Sequence, residues 1–168
     1  VLVIGGSAAG MVAALTGKSS WPKKNFILVK KQKEMMVPCG IPYVFGTLDN
    51  IDQNIMPVDS MLEKAGIESI VDEATMINTE NKSVDFASGE TIKYEKLVLA
   101  TGSIPAKPKW LTGGDKENVY TIPKDKIYLE EMKNRLASLK RVVVIGAGFI
   151  GVEFSDELVK SCLLYTSP

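Results

Sequence analysis

Histidine is absent from this 168-residue chain, and cysteine occurs only twice. Without histidine, the Ser-His-Asp and Cys-His catalytic arrangements are excluded within this segment, as are most zinc sites. Two cysteines are too few for a disulfide scaffold, so we expect a cytoplasmic location. Chemistry in this chain therefore depends on a bound cofactor or on a cysteine.

Net charge and long apolar runs are lacking as well. Lys+Arg and Asp+Glu number 20 each, so the formal net charge at pH 7 is zero. This balance gives no electrostatic reason to expect a nucleic-acid partner. No apolar run approaches the roughly 18 residues of a membrane span, so we expect no membrane insertion. Apolar residues still make up 45% of the chain, enough for a buried core.

Both termini suggest a segment of a longer protein. Val1 already lies in an apolar run and no initiator methionine precedes it. At the other end, Cys162–Pro168 interrupts a helical pattern and is similar to a translated sequencing-library adapter. We expect residues 161–168 to be a non-native, adapter-derived tail, in which case Cys162 has no biological role. A natural loop after a short helix is the alternative.

The order of apolar and polar segments predicts an α/β domain with a small antiparallel meander. The meander is expected between Ile67 and Lys93, and a proline-rich linker over Ile104–Gly114. One predicted helix is capped by Asp59 or Ser60 and ends at Gly66. The predicted strands are Val1–Ile4, Asn25–Lys30, Lys96–Ala100 and Arg141–Ile145. The predicted helices are Ala8–Lys18, Asp59–Ala65, Lys124–Leu139, Gly148–Lys160 and a short one that starts near Cys39.

A glycine-rich turn follows the predicted strand Arg141–Ile145. Gly146, Gly148 and Gly151 match G-x-G-x-x-G, with Phe149 and Ile150 at the two positions before the last glycine. In such a turn the first glycine permits a tight bend, the second lets the backbone approach a pyrophosphate, and the third allows close packing of helix on strand. The context favours dinucleotide binding. A plain strand-to-helix turn is the alternative.

A variant of the same turn opens the chain. Gly5, Gly6 and Gly10 surround Ser7, which takes the middle glycine position, while Ala8 and Ala9 keep the side chains small where phosphates would lie. Alone, this segment leaves nucleotide binding and a structural turn equally open. Two such turns in one chain indicate two nucleotides, typically a flavin and a nicotinamide.

The acidic residue that commonly binds a ribose at the end of the second strand is missing. Lys30 and Lys31 stand there, and Glu34 comes several residues later. The sequence therefore does not decide whether Lys30 contacts a ribose. For the second turn the corresponding position lies about 20 residues beyond the first glycine, within the suspected tail. The choice between NADH and NADPH is open for the same reason.

Cys39 lies between two prolines, Pro38 and Pro42, and is followed by Gly40. A cysteine at the start of a helix has its thiolate favoured by unsatisfied N–H groups, and we expect Gly40 to leave room for a bulky planar group. Free cysteines are also among the most buried residues. The local pattern therefore supports a reactive thiol and a buried packing thiol equally well for Cys39. For Tyr43, it favours packing in the core.

Four motifs in this order resemble the FAD-dependent pyridine nucleotide-disulfide oxidoreductases. They are G-G-S-A-A-G, P-C-G-I-P-Y, A-T-G-S-I-P and G-A-G-F-I-G. The chain is most similar to the single-cysteine branch, which contains coenzyme A-disulfide reductases, NADH oxidases and NADH peroxidases. The similarity runs from Val1 to about Val159. It implies a truncated, three-layer FAD/NAD(P)-binding Rossmann-like α/β fold, with a parallel sheet, helices and the small antiparallel meander. Residues 1–110 would be the N-terminal half of the FAD-binding domain, and residues 111–160 the truncated start of the NAD(P)-binding domain.

The resemblance also implies roles for individual residues. Cys39 would be the redox centre, and Ala74 would contact the adenine side of FAD through its backbone. Lys30 takes the position of the family's usual Glu. The FAD pyrophosphate would lie on Gly5, Gly6, Ser7, Ala8, Ala9 and Gly10, and the flavin nucleotide would be closed over by Ala100, Thr101 and Gly102. NADH or NADPH would bind Gly146, Gly148, Phe149, Ile150 and Gly151.

Two residues that other members of the family carry, a second cysteine near the first and a histidine, are missing here, and this narrows the choice of substrate. Glu34 and Val44, five positions from Cys39 on either side, are not cysteines, which is against an internal disulfide. Ala8 aligns with a histidine of the peroxidases and many oxidases. The resemblance therefore favours reduction of coenzyme A disulfide or a related disulfide or persulfide by NAD(P)H, in a homodimer. The alternatives are a water-forming NADH oxidase, with oxygen as the acceptor, and a non-catalytic flavin-binding electron-transfer module.

Overall fold

In the computed structural model, residues 1–161 are described. They form nine strands and four α-helices within that range. The strands are β1 (Leu2–Ile4), β2 (Ile27–Lys30), β3 (Met35–Met36), β4 (Ile55–Met56), β5 (Glu68–Val71), β6 (Ala74–Asn78), β7 (Ser83–Phe86), β8 (Thr91–Lys93) and β9 (Leu97–Leu99). The helices are α1 (Ala8–Ser20), α2 (Val58–Lys64), α3 (Lys126–Leu136) and α4 (Phe149–Lys160). The predicted tail lies outside the described residues, except for Ser161.

The chain divides into two compact units. Unit 1 consists of Val1–Met35 and Met56–Gly102, and unit 2 of Met36–Ile55 with the described residues from Ser103 onward. Each unit is built from two separate stretches of the chain. This division therefore differs from the predicted one, which has a single boundary near residue 110.

Unit 1 contains a four-stranded parallel sheet in the order β5-β2-β1-β9. Successive strand residues face opposite sides. Val3 accordingly packs with α1 and α2, through Ala14 and Leu62 among others, whereas Leu2 and Ile4 pack on the other face with residues of β7. Helices, sheet and meander therefore make three layers, and the predicted α/β fold is confirmed.

The antiparallel meander is smaller than predicted. It consists of β6, β7 and β8, whereas β5 pairs parallel with β2 in the main sheet. The prediction that the meander starts at Ile67 is therefore wrong. The apolar residues of β5 gave no signal that distinguishes the two kinds of pairing.

Unit 2 has a helical core. Met132 and Leu136 of α3, Phe154 and Leu158 of α4, and residues near Cys39 pack together. The rings of Phe45 and Phe154 meet edge to face at 4.7 Å between centroids. The predicted helix over Lys124–Leu139 is shorter in the structure, and its buried side is formed by Leu129, Met132 and Leu136, while Ile127 and Leu139 are exposed.

Two further predictions of local structure are wrong. Arg141–Ile145 runs without strand hydrogen bonds, because no other strand within residues 1–161 lies beside it; an extended segment needs a neighbour to form a ladder. Neither Asp59 nor Ser60 caps α2, whose N-cap is Pro57. The predicted end at Gly66 is confirmed by its positive φ of 66° just after the helix.

Within the described part of the chain, no helix is long and apolar enough to cross a bilayer. The same residues contain no group of three or more histidine, cysteine, aspartate or glutamate side chains that could hold a metal ion.

Candidate functional site

The first glycine turn joins β1 to α1 through two very close backbone approaches. Gly5 has a φ of +116°, and a Cβ on it would lie 2.1 Å from the carbonyl oxygen of Ala100. A Cβ on Gly10 would collide with the carbonyl oxygen of Gly5. Both positions therefore require glycine, the first for its conformation and its space and the second for its space.

The N-terminus of α1 can accept an anion. The first intrahelical bond runs from the Met11 N–H to the Ser7 carbonyl, and the N–H groups before it have no partner inside a helix. Ala8 and Ala9 are exposed and small, and the first turn carries no acidic residue. This turn fits the pyrophosphate of a dinucleotide, because the open N–H groups and the helix dipole favour negative charge there.

Lys30, at the end of β2, is almost fully buried, with 1% of its surface exposed. Its stem lies against Gly6, where an added Cβ would come within 2.7 Å of Lys30 Cβ. Its ammonium donates to the carbonyl of Lys33 at 2.5 Å and to Asp59 Oδ2 at 2.8 Å. The Lys30 ammonium thus forms its hydrogen bonds with groups of the protein itself.

Asp59 completes this network, whereas the sequence indicated it only as a candidate helix cap. Its Oδ1 accepts a hydrogen bond from Ser69 Oγ at 2.8 Å. The hydrogen bond from Lys30, and next that from Ser69, hold the pKa of Asp59 below its usual value of 3.8. The carboxylate is therefore ionised at neutral pH. Its partner lies 29 positions away in the sequence, so no local pattern could have indicated it.

The remaining predicted residues of unit 1 lie near strand ends. Ala100 and Thr101 directly follow β9, and the Ala100 N–H donates to the Ile4 carbonyl at 2.8 Å. Gly102 has a φ of +73°. Ala74 begins β6 and packs partly buried against the core below the meander. Their predicted contacts with FAD stay predictions.

The second glycine turn repeats the local geometry of the first. Gly146 has a φ of +124°, and a Cβ on Gly151 would lie 2.0 Å from the Gly146 carbonyl oxygen. Gly148 is the N-cap of α4, in extended conformation. Phe149 and Ile150 begin the helix with exposed side chains. The predicted helix is confirmed, and its open N-terminus fits a second pyrophosphate on the same physical grounds.

Cys39 is an exposed free thiol. It occupies the middle of a three-residue 3-10 turn, Pro38–Gly40, which is followed by a second 3-10 turn over Pro42–Phe45. The expectation of a helix that starts near Cys39 is wrong in its form, because Pro42 has no N–H to continue the helical ladder from Pro38. A stabilising α-helix dipole at the thiol is therefore not available. Tyr43 is 44% exposed and not a core residue.

Asn54 fixes the loop that carries Cys39, and sequence reasoning missed it. The Asn54 amide is buried and donates to the Val37 carbonyl at 3.1 Å, while the Val37 N–H donates to the Asn54 carbonyl at 2.9 Å. A Cβ on Gly40 would meet Asn54 Oδ1. The space beside Gly40 is thus filled by this amide, which corrects the expectation of room for a planar group in that direction.

Comparison with known proteins identifies the family. Residues 1–163 match the family described as pyridine nucleotide-disulphide oxidoreductase. The chain belongs to this family.

Relatives of this oxidoreductase carry several activities in their names. An NADH oxidase of Methanocaldococcus jannaschii is 32% identical over 165 residues, which cover 92% of this chain and 36% of the relative. An NAD(P)H coenzyme A polysulfide/persulfide reductase of Pyrococcus horikoshii is 31% identical and covers 93% of this chain and 36% of the relative. The chain therefore spans about a third of the length of the relatives it matches.

A solved structure agrees with the fold. The NAD-dependent persulfide reductase from A. fulgidus superposes with a TM-score of 0.84 at 29% identity, over 96% of this chain and 32% of the other. The pyridine nucleotide-disulfide oxidoreductase fold predicted from the four motifs is thereby confirmed.

Proposed function

We propose that the intact protein is an FAD-dependent oxidoreductase that uses NADH or NADPH to reduce coenzyme A disulfide, or a related disulfide or persulfide, at Cys39. The observation that carries the proposal is the exposed thiol of Cys39 in a chain that matches this oxidoreductase family over nearly its whole length. Relatives named for persulfide reduction support the class of substrate.

The first glycine turn is the proposed FAD site. The open N–H groups at the start of α1 and the small exposed side chains of Ala8 and Ala9 support it. When bound, FAD supplies hydride acceptance from the nicotinamide and two-electron transfer to sulfur. The second turn, with Gly146, Gly148 and Gly151, is the proposed NADH or NADPH site. The sheet of unit 1 and α3–α4 of unit 2 would then belong to an FAD-binding and an NAD(P)-binding domain.

Cys39 would carry the sulfur chemistry. Its thiolate attacks one sulfur of the substrate disulfide, forms a mixed disulfide with that half and releases the other half as a thiolate. Reduction of the mixed disulfide by two electrons releases the second half and restores the Cys39 thiolate. The exposure of Cys39 supports access for a substrate of this kind.

Oxygen is the second candidate acceptor. A relative named NADH oxidase favours it, and Cys39 would then cycle through a sulfenic acid. Ala8, where the resembled peroxidases and many oxidases have histidine, favours the disulfide. The third candidate, a non-catalytic electron-transfer module, would leave Cys39 without a redox role. A cytoplasmic homodimer is part of the proposal.

The test compares the intact wild-type protein with its Cys39→Ser variant. NAD(P)H oxidation is followed with coenzyme A disulfide under anaerobic conditions and, in parallel, with oxygen alone. We expect disulfide-dependent turnover in the wild type and none in Cys39→Ser, while flavin reduction by NAD(P)H persists in both. Oxygen consumption without any disulfide reduction would replace the proposal with the oxidase. Disulfide turnover that survives in Cys39→Ser would remove Cys39 from the mechanism.

A further inference from the structure

The last residue of β2 is Lys30, but a carboxylate, that of Asp59, lies against its ammonium. In dinucleotide-binding folds an acidic residue at this place accepts hydrogen bonds from ribose hydroxyls. Lys30 cannot accept such bonds, because an ammonium has donors only, and it donates to the Lys33 carbonyl and to Asp59. The same contact holds the carboxylate of Asp59 2.8 Å from that ammonium. The acidic group is thus supplied from α2 and not from the strand.

The Asp59 carboxylate is both fixed and accessible. Lys30 holds Oδ2 and Ser69 holds Oδ1, yet 58% of the side-chain surface remains exposed. A carboxylate has about four acceptor positions, and these two bonds use one on each oxygen. Each oxygen therefore retains capacity for a further donor, in a position that two protein contacts have already set.

Asp59 is linked to the first glycine turn through Lys30. Asp59 opens onto a shallow, solvent-open cavity of about 420 Å³. Lys30 connects this cavity with the turn, because its stem packs on Gly6 and its ammonium binds Asp59. All these groups belong to unit 1. The cavity is lined by Lys33, Asp59, Glu63, Ile67, Ser69 and Val71.

We propose that Asp59, anchored by Lys30 and Ser69, accepts hydrogen bonds from the ribose hydroxyls in the adenosine half of the dinucleotide bound at the first turn. The inference rests on the proposed FAD site. It assigns the ribose contact to a residue of α2, with Lys30 as a positioning residue that touches no ligand. The neutral ammonium–carboxylate pair also avoids placing an uncompensated buried charge behind the turn.

The test measures the dissociation constants of FAD and FMN for the intact apoprotein, because FMN lacks the adenosine ribose. Asp59→Asn should weaken FAD binding about tenfold, as for the loss of one charge-assisted hydrogen bond, and leave FMN binding unchanged. Glu68→Gln is the control: it also removes an exposed carboxylate from unit 1 but lies outside the cavity. We expect it to change neither constant.

A double variant controls for the destabilisation that Asp59→Asn could cause by itself. Asp59→Asn leaves a buried ammonium without its carboxylate, so the double variant Lys30→Met/Asp59→Asn removes both charges. It should show the same loss of FAD affinity with a melting temperature closer to that of the wild type. Lys30→Met alone keeps the carboxylate and should weaken FAD binding less than Asp59→Asn.

The possible outcomes are distinct. Unchanged FAD affinity in Asp59→Asn and in the double variant overturns the ribose assignment and leaves the proposed function intact. Equal weakening of FAD and FMN also overturns it, since the effect would then be structural. A wild-type protein that binds no FAD overturns both the assignment and the proposed function.

Discussion

The two glycine turns have nearly the same backbone and very different surroundings. Gly5 and Gly146 share a positive φ of +116° and +124°, and Gly10 and Gly151 each pack on the carbonyl of the first glycine. The first turn, however, follows a strand paired on both sides. The segment before the second turn has no paired strand within residues 1–161. The local conformation therefore follows from a few glycines, whereas the enclosure of each turn depends on distant segments.

Alanine at the first glycine of each turn should separate these two contributions. In Gly5→Ala the new Cβ meets the Ala100 carbonyl oxygen at 2.1 Å, whereas at Gly146 no atom of residues 1–161 lies within 4 Å. Both changes strain a positive φ, at about 1–3 kcal/mol. We expect Gly146→Ala to lose only that amount and Gly5→Ala to lose more than about 4 kcal/mol, because backbone cannot move aside. Urea unfolding of the intact protein measures both. Equal losses would show that enclosure is irrelevant.

Each unit also has one almost fully buried charged residue: Lys30 against Gly6 in unit 1, and Glu157 on α4 against Gly46 in unit 2. For the Lys30–Asp59 pair, removal of the exposed Asp59 carboxylate should lower the free energy of unfolding more than removal of the buried Lys30 ammonium. Asp59→Asn leaves the Lys30 ammonium buried without its carboxylate, and should cost about 1–2 kcal/mol, below the value for a fully buried pair because Asp59 is largely exposed. Lys30→Met leaves a solvated carboxylate and should cost less.

The pH dependence checks the cause of that loss. The pKa of Asp59 is lowered in the folded protein, so its contribution to stability is present above the usual value of 3.8 and is lost as the pH falls through the folded value. The stability difference between wild type and Asp59→Asn should therefore be full at pH 7 and shrink below about pH 4. A difference that is the same at pH 7 and pH 3 would contradict the ion pair as its source.

For Glu157 in unit 2, the corresponding change is Lys160→Met. Glu157 is 1% exposed. Burial raises the pKa of Glu157, but the hydrogen bond from Lys160 lowers it, and the net direction is downward. Without Lys160 the buried carboxylate has lost its cation, so the melting temperature should fall. Lys24→Met removes a pair in which both side chains are exposed and serves as the control. A fall in Lys24→Met as large as in Lys160→Met would remove burial as the explanation.

The smallest expected effect is at the middle position of the second turn. Gly148→Ser copies Ser7 of the first turn, and no atom of the described part of the chain lies within 4 Å of the added Cβ. The melting temperature should stay unchanged and the affinity for NADH or NADPH should fall only slightly, since the first turn, which is proposed to bind a pyrophosphate, carries Ser7 at this position. Calorimetric titration measures the affinity. A large loss of stability would mean that this glycine is structural.

Residues near each other in sequence explain most of what could be predicted. The strands β1, β2 and β9 are apolar runs, and both turns have glycines at fixed spacing, so periodicity and motif were sufficient. The form of the Cys39 segment was missed because two prolines divide what the apolar pattern suggested as one helix. The Lys30–Asp59 contact and the Asn54 contact to Gly40 were missed because they join residues far apart in the chain. Pairing of Arg141–Ile145 depends on a neighbouring strand, which its own sequence does not determine.

The most direct test of the account is the visible spectrum of the intact protein during anaerobic reduction with NADH or NADPH. If the Cys39 thiolate lies against the flavin, the two-electron-reduced wild type develops a long-wavelength thiolate-to-flavin charge-transfer band, and Cys39→Ser reduces without it. The absence of this band in the wild type, or its persistence in Cys39→Ser, would contradict the role of Cys39 as the redox centre.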